Sequence, residues 1–180
     1  MACAEILERE LALQIIDKTL VDARNQKISS GFFIGTAGLG KSLLLAAASQ
    51  SATDFAIGWS KNDEIGSGIA LGSIWRSISA LGVKNPFAIV KEMSLADRLA
   101  TASLWLLDWA YAQKERPVLL ILDDLHWADA GSLALLNHLV QSQIPSSIAI
   151  LGAARPWPDQ AVNLFHELAS KAASRIVELE

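Results

Sequence analysis
Cysteine is nearly absent: Cys3 is the only one among 180 residues. A lone thiol excludes an internal disulfide and suits a reducing compartment. Also missing is any unbroken apolar stretch near the roughly 18 residues that a membrane helix requires. The N-terminus has no basic region followed by an apolar run, so no secretory signal is expected. Together these absences set the expected location as the cytoplasm, without membrane contact. Positive charge is sparse and scattered. Fifteen Lys and Arg stand against 19 Asp and Glu, for a net charge of −4, and no basic stripe marks a nucleic-acid surface in this segment. His126, His138 and His166 are too dispersed for a metal cluster. With no G-x-S-x-G elbow and no Cys/His pairing, hydrolysis through a covalent nucleophile lacks support. Internal repeats and low-complexity segments are absent too.

What is present is apolar. Hydrophobic residues make up 52% of the chain, and the mean hydropathy is +0.32. That is ample for one domain with a sizeable core. The excess points to a surface covered by a partner or a further domain.

The pattern that organises the chain is Gly35-Thr36-Ala37-Gly38-Leu39-Gly40-Lys41-Ser42, a full match to the phosphate loop G-x-x-x-x-G-K-[ST]. An apolar run, Gly31 to Ile34, precedes it and a helix-forming run, Leu43 to Ala48, follows, which is the strand–loop–helix setting the motif needs. Glycines let successive N–H groups turn inward around an anion. The helix starting near Lys41 adds its positive end. Lys41 supplies charge for the β- and γ-phosphates, and the Ser42 hydroxyl is placed for Mg²⁺. A nucleoside triphosphate is the expected ligand.

In chain order, an amphipathic helix is predicted over 5–26, with Ile6, Leu7, Leu11, Leu13, Ile15, Ile16, Leu20 and Val21 near helical spacing. A strand at 28–34 leads to the loop and a helix reaching residue 50. Phe55 to Ser60 reads as a second strand, and the polar Lys61 to Gly68 as a loop. Gly66-Ser67-Gly68 is a turn, since its spacing does not fit a dinucleotide fingerprint. A helix over 69–81 presents Ile69, Leu71, Ile74, Trp75, Ile78 and Leu81, and Asn85-Pro86 prevents its continuation. Another spans 95–114 with Ser94 as N-cap and Asp97 in its first turn, its Leu99, Leu104, Trp105, Leu107 and Trp109 forming an apolar core surface. Pro117 to Leu122 is continuously apolar, as in a parallel strand buried on both faces. After it, Asp129 caps a helix reaching 141. A buried strand follows at 147–154, then a helix at 159–173 and a last strand at 175–180. This alternation predicts a parallel α/β sheet.

In such sheets ligands bind at the carboxyl ends of strands. Three ends carry chemistry here. The first delivers the phosphate loop. The Pro117–Leu122 strand ends in Asp123-Asp124, the Walker B pattern of four hydrophobics and an acid. Asp123 would hold Mg²⁺ opposite Ser42. Asp124 either orients or deprotonates the attacking water, or is a solvated loop carboxylate leading a helix. The fourth strand ends at Arg155, which either senses the γ-phosphate through paired hydrogen bonds or forms an ordinary surface ion pair. His126 either lines the site or packs.

The run Leu120-Ile121-Leu122-Asp123-Asp124-Leu125-His126-Trp127-Ala128-Asp129 resembles the "LDDLHWAD" segment of STAND-type ATPases, the AAA-like ATPase domain of large ATP-binding LuxR-type transcriptional regulators. Gly152 to Pro156 resembles that family's sensor segment. Glu8-Arg9-Glu10 resembles its N-terminal "GRE", with Glu8 in place of glycine, and implies Arg9 near the adenine end of the site. The resemblance covers nearly the whole chain. It implies an ASCE-type P-loop NTPase, a three-layer αβα fold with a mainly parallel five-stranded sheet and a strand inserted between the phosphate-loop and Walker B strands. Residues 1–27 would form an N-terminal helix and 28–180 the ATPase core, without the lid and effector domains found in family members. It also implies ATP or ADP with Mg²⁺ as cofactors, slow hydrolysis, and a nucleotide switch that controls self-association or downstream domains. Rival expectations are a small P-loop kinase that phosphorylates a metabolite and a nucleotide-binding interaction domain without turnover. Arg155 is the only candidate for the lid arginines such a kinase needs.

Overall fold
The computed structural model describes residues 2–68, 70–83, 94–113, 116–142, 144–157, 159–171 and 174–180. Its elements run α1 (Ala2–Arg24), β1 (Ser29–Gly35), α2 (Lys41–Ser51), β2 (Ala56–Lys61), α3 (Gly72–Ser79), α4 (Leu95–Ala112), β3 (Val118–Asp123), α5 (Ala130–Gln141), β4 (Ile148–Ala154), α6 (Asp159–Lys171) and β5 (Ser174–Leu179). Short 3₁₀ turns occupy Ile65–Gly68 and Leu125–Trp127. The helix expected over 69–81 is shorter, and Ile69 and Asn85-Pro86 lie outside the described residues.

The five strands form one sheet in the order β2-β3-β4-β1-β5, with every neighbouring pair parallel. β4 therefore lies between β1, which feeds the phosphate loop, and β3, which ends in Asp123. β1, β3 and β4 are buried along their whole length, which is why Gly31 to Ile34, Val118 to Leu122 and Ile148 to Ala154 read as apolar runs rather than alternating ones.

The two-residue period of a strand sends successive side chains to opposite faces. One core takes Phe32, Ile34, Leu120, Leu122, Ile148 and Ile150, covered by α3, α4, α5 and α6. The other takes Phe33, Leu119, Ile121, Ala149, Leu151 and Val177, covered by α1 and α2. The result is three layers, helices–sheet–helices. Phe32 stacks on Phe165 of α6 with ring centroids 4.1 Å apart. Gly58 has to be glycine: a Cβ there would stand 2.2 Å from the Ser77 carbonyl oxygen, because α3 lies directly on β2.

Two apolar faces differ from expectation. In α1 the buried stripe is Ala12, Ile15, Ile16, Thr19, Leu20 and Ala23, while Leu11, Leu13 and Val21 are 44–47% exposed. The buried positions fall on two adjacent rows, Ala12-Ile16-Leu20 and Ile15-Thr19-Ala23; Leu13 and Val21 lie off them, and Leu11 lies one turn before Ile15. In α4 the inward positions are Ala102, Leu106, Leu107 and Ala110, and Leu104 faces outward. Trp105 and Trp109 are half-buried at the margin of the core, their rings stacked 6.2 Å apart.

Candidate functional site
The site forms where β1, β3 and β4 end. Gly38 (φ 91°) and Gly40 (φ 79°) hold left-handed backbone, which glycine adopts without the Cβ clash other residues suffer. At Gly38 a Cβ would meet nothing within 4 Å, so the dihedral, not space, requires glycine there. Thr36, Ala37 and Gly38 are exposed, and Leu39 and Gly40 half-buried. At Gly35 the space is tight, a Cβ standing 3.0 Å from the Leu39 side chain and from the Leu179 carbonyl oxygen.

α2 opens at this loop with no side chain capping it and no acid in its first turn. α4 and α5 are treated differently: Ser94 caps α4 through the Asp97 N–H, and Asp129 caps α5 through the Ser132 N–H at 2.8 Å. The positive end of α2 is left facing the loop.

Lys41 is only 8% exposed. Its Nζ donates to the Gly35 carbonyl at 2.8 Å and the Thr36 carbonyl at 2.6 Å. Burial pulls its pKa below the usual lysine value. The charge of Asp124 opposes that shift, Arg155 adds to it, and Asp123 opposes it further. An anion in the loop would restore what burial removes.

Ser42 Oγ donates to Asp123 Oδ2 at 2.7 Å, tying the start of α2 to the end of β3. Asp123 is 3% exposed, and its Oδ1 accepts the Asp124 N–H at 2.9 Å. A hydroxyl and a carboxylate in contact form a donor set suited to Mg²⁺, which binds through one or two protein oxygens and fills its octahedron with phosphate oxygens and water. Among the described residues no group of three His, Cys, Asp or Glu gathers as an all-protein metal cage.

Asp124 holds left-handed backbone (φ 53°), a conformation aspartate tolerates better than most side chains. It turns the chain abruptly out of the sheet. Its Oδ1 is 3.9 Å from His126 Nδ1, and that nitrogen accepts the Arg155 backbone N–H at 3.4 Å. The Arg155 side chain is exposed and makes no ion pair among the described residues. Arg9 lies close to the loop, with a terminal nitrogen 3.7 Å from where a Gly40 Cβ would stand. Thus Lys41, Ser42, Asp123, Asp124 and Arg155 come together at one edge, with Arg9 beside the loop.

Two buried residues at this edge carry roles that no motif announced. Asn62, just past β2, donates Nδ2 to the Asp123 carbonyl at 2.7 Å and accepts from Arg76 at 2.9 Å. Its only sequence signal is its place in the polar stretch that follows Trp59. Asp129, expected as a helix cap, also accepts the Leu71 N–H at 2.7 Å and the Ser73 N–H at 3.3 Å. One carboxylate thus holds the starts of both α3 and α5.

Glycine loop, uncapped helix, buried lysine and hydroxyl–carboxylate pair on a parallel sheet define the P-loop nucleotide-binding class. The AAA ATPase domain family matches residues 5–151, and the chain belongs to that family. No curated protein matches in sequence. Among solved structures, the fold is similar to Cdc6p from Pyrobaculum aerophilum, with a TM-score of 0.63 at 18% identity over 95% of this chain and 45% of that one. It is also similar to a chain in the structure of Drosophila ORC bound to AT-rich DNA and Cdc6, with a TM-score of 0.53 at 12% identity over 96% of this chain and 29% of that one. This chain spans less than half the length of either. Among the described residues no helix is long and apolar enough to cross a membrane.

Proposed function
We propose that this chain is a cytoplasmic ATP-binding regulatory module, a STAND-type switch in which Mg²⁺ and ATP or ADP occupy the loop and hydrolysis is slow. The observation that carries this reading is the 2.7 Å hydrogen bond between Ser42 and Asp123, made beside a buried Lys41 whose only hydrogen-bond partners among the described residues are loop carbonyls. In this reading Lys41 exchanges those carbonyls for phosphate oxygens, the N–H groups of Gly38 to Ser42 cradle the phosphates, and Ser42 with Asp123 holds the metal. Bound Mg²⁺ would neutralise phosphate charge. Asp124 orients a water or takes its proton, and Arg155 reads the γ-phosphate. Arg9 lies toward the adenine. Self-association or downstream domains of a larger bacterial signal-transduction or transcriptional regulator would read out the nucleotide state, with residues 1–27 packed on a core of 28–180. The exposed Leu11, Leu13 and Val21 of α1 and Trp157 after β4 are apolar surface such partners could cover.

The test is calorimetric titration with ATP and ADP, with and without Mg²⁺, alongside phosphate release. The Asp124→Asn variant is expected to bind ATP as the unmodified chain does while phosphate release stops. A variant that hydrolyses at the unmodified rate would remove Asp124 from its role. Phosphate transfer seen only with an added metabolite would favour the small kinase. Binding without any turnover would favour an interaction domain.

A further inference from the structure
One buried titratable side chain at the site has no part in that scheme. The His126 side chain is 1% exposed. Its Nδ1 faces the Arg155 N–H at 3.4 Å and Asp124 Oδ1 at 3.9 Å, and its Nε2 is buried without a hydrogen-bond partner. An N–H points at Nδ1, so that nitrogen must carry a lone pair. The ring is then the neutral tautomer with its proton on Nε2.

The backbone explains why a side chain is needed here. The β3–β4 pairing ends at Leu122 opposite Gly152. One residue after β3, the left-handed Asp124 carries the chain out of the sheet, and β3 offers no further carbonyl to β4. The imidazole supplies an acceptor for the Arg155 amide just beyond the last strand residue, Ala154. A purely space-filling role fits poorly, since an apolar side chain would fill this pocket without burying an unsatisfied donor.

We propose that His126 is a positioning residue: by accepting the Arg155 N–H it fixes where the guanidinium stands over the loop, and so sets the preference for a triphosphate over a diphosphate. This rests on the reading of Arg155 as the γ-phosphate contact. The surroundings keep the ring in the required state. Burial lowers its pKa below 6.5, and the charges of Arg155 and Lys41 lower it further, against Asp124 and Asp123. A protonated ring would turn Nδ1 into a donor facing another donor.

The test uses two polar variants that differ in where the acceptor sits. In His126→Asn the amide oxygen takes the place of Nδ1. In His126→Gln it reaches toward Nε2 instead. The ratio of ADP to ATP dissociation constants is measured with Mg²⁺ for the full chain, both variants, Arg155→Ala and the Arg155→Ala/His126→Gln double variant, with thermal melts to verify folding. H126Q is expected to lower the ratio at least fivefold, as R155A does, with ADP affinity held within twofold. H126N should keep most of it, and the double variant should fall no further than R155A. If H126Q does not fold, His126→Leu takes its place. An unchanged ratio in H126Q, equal losses in H126N and H126Q, or additive losses in the double variant would overturn the assignment. An unmodified chain that binds neither nucleotide would instead sink the nucleotide site itself, and the inference with it.

Discussion
The two ends of this sheet each bury an acid near a base, and they handle the charge in opposite ways. At the amino end, Asp22 of α1 meets Lys18 at 2.9 Å and Arg175 of β5 at 2.9 Å, with Ser29 of β1 donating to the same carboxylate at 3.4 Å. Arg175 also donates to Ser29 Oγ at 2.9 Å. Burial works against the Asp22 charge, but the hydrogen bonds and charges of Lys18 and Arg175 prevail and hold its pKa below 3.8. This cluster is closed. At the carboxyl end, Asp123 is bonded to a neutral hydroxyl and an amide, and Lys41 to carbonyls. Neither has a direct ion pair among the described residues. The amino-end charge is paired within the chain and ties α1 to β5, whereas Lys41 and Asp123 keep neutral partners, an arrangement the proposed nucleotide site would use.

The largest expected effect breaks the carboxyl end alone. Lys41→Ala should weaken ATP binding by about a hundredfold or more, since a buried charge-assisted contact to phosphate is lost. The melting temperature should stay level or rise, because a desolvated ammonium is removed. Tight ATP binding by this variant would dissolve the contrast. Next, Arg175→Ala should cost about 2 kcal/mol in denaturant unfolding, by leaving Asp22 with a single cationic partner. ATP affinity should not change, and a parallel loss of affinity would mean the two ends are coupled.

Acid should separate the ends by pH window. His126 has a folded pKa below 6.5, so between 6.5 and that lower value the unfolded chain binds a proton that the native state refuses. Stability therefore falls as pH drops through this window, by at most about 1.4 kcal/mol per pH unit for one proton. Asp22 acts lower down. Its contribution is fully present above 3.8 and is lost as pH falls through its folded pKa. Urea titrations across pH should lose the upper slope in His126→Asn and the lower slope in Asp22→Asn. The smallest effect belongs to an exposed pair near the amino end, Arg24–Asp54, bidentate at 2.7 and 2.8 Å with side chains 40% and 48% exposed. Asp54→Ala should cost under about 1 kcal/mol, with Arg24 still over the Phe55 ring at 5.1 Å.

Local chemistry was legible in the sequence. The glycines of 35–42, the unbroken apolar run before Asp123 and the caps at Ser94 and Asp129 each depend on residues within a few positions of one another, and all appear where their spacing places them. Parallel pairing followed from continuous apolar strands alternating with helices, though the place of β4 between β1 and β3 came only from family resemblance. Helix faces were less legible. Apolar content marks a helix as packed, but Leu11, Leu13 and Val21, like Leu104, show that composition does not choose which stripe meets the sheet.

What the chain determined by itself is a strand–loop–helix able to curl around phosphate, with an acidic partner at the end of another buried strand. What the tertiary structure decided are the contacts between distant residues. Asn62 reaches the Asp123 carbonyl, Asp129 reaches the start of α3, and His126 reaches the Arg155 amide. These pairs are set by which strand lies beside which and by where β3 leaves the sheet. A side-chain hydrogen bond has a reach of about 3 Å, so only the packed fold can bring such pairs within it.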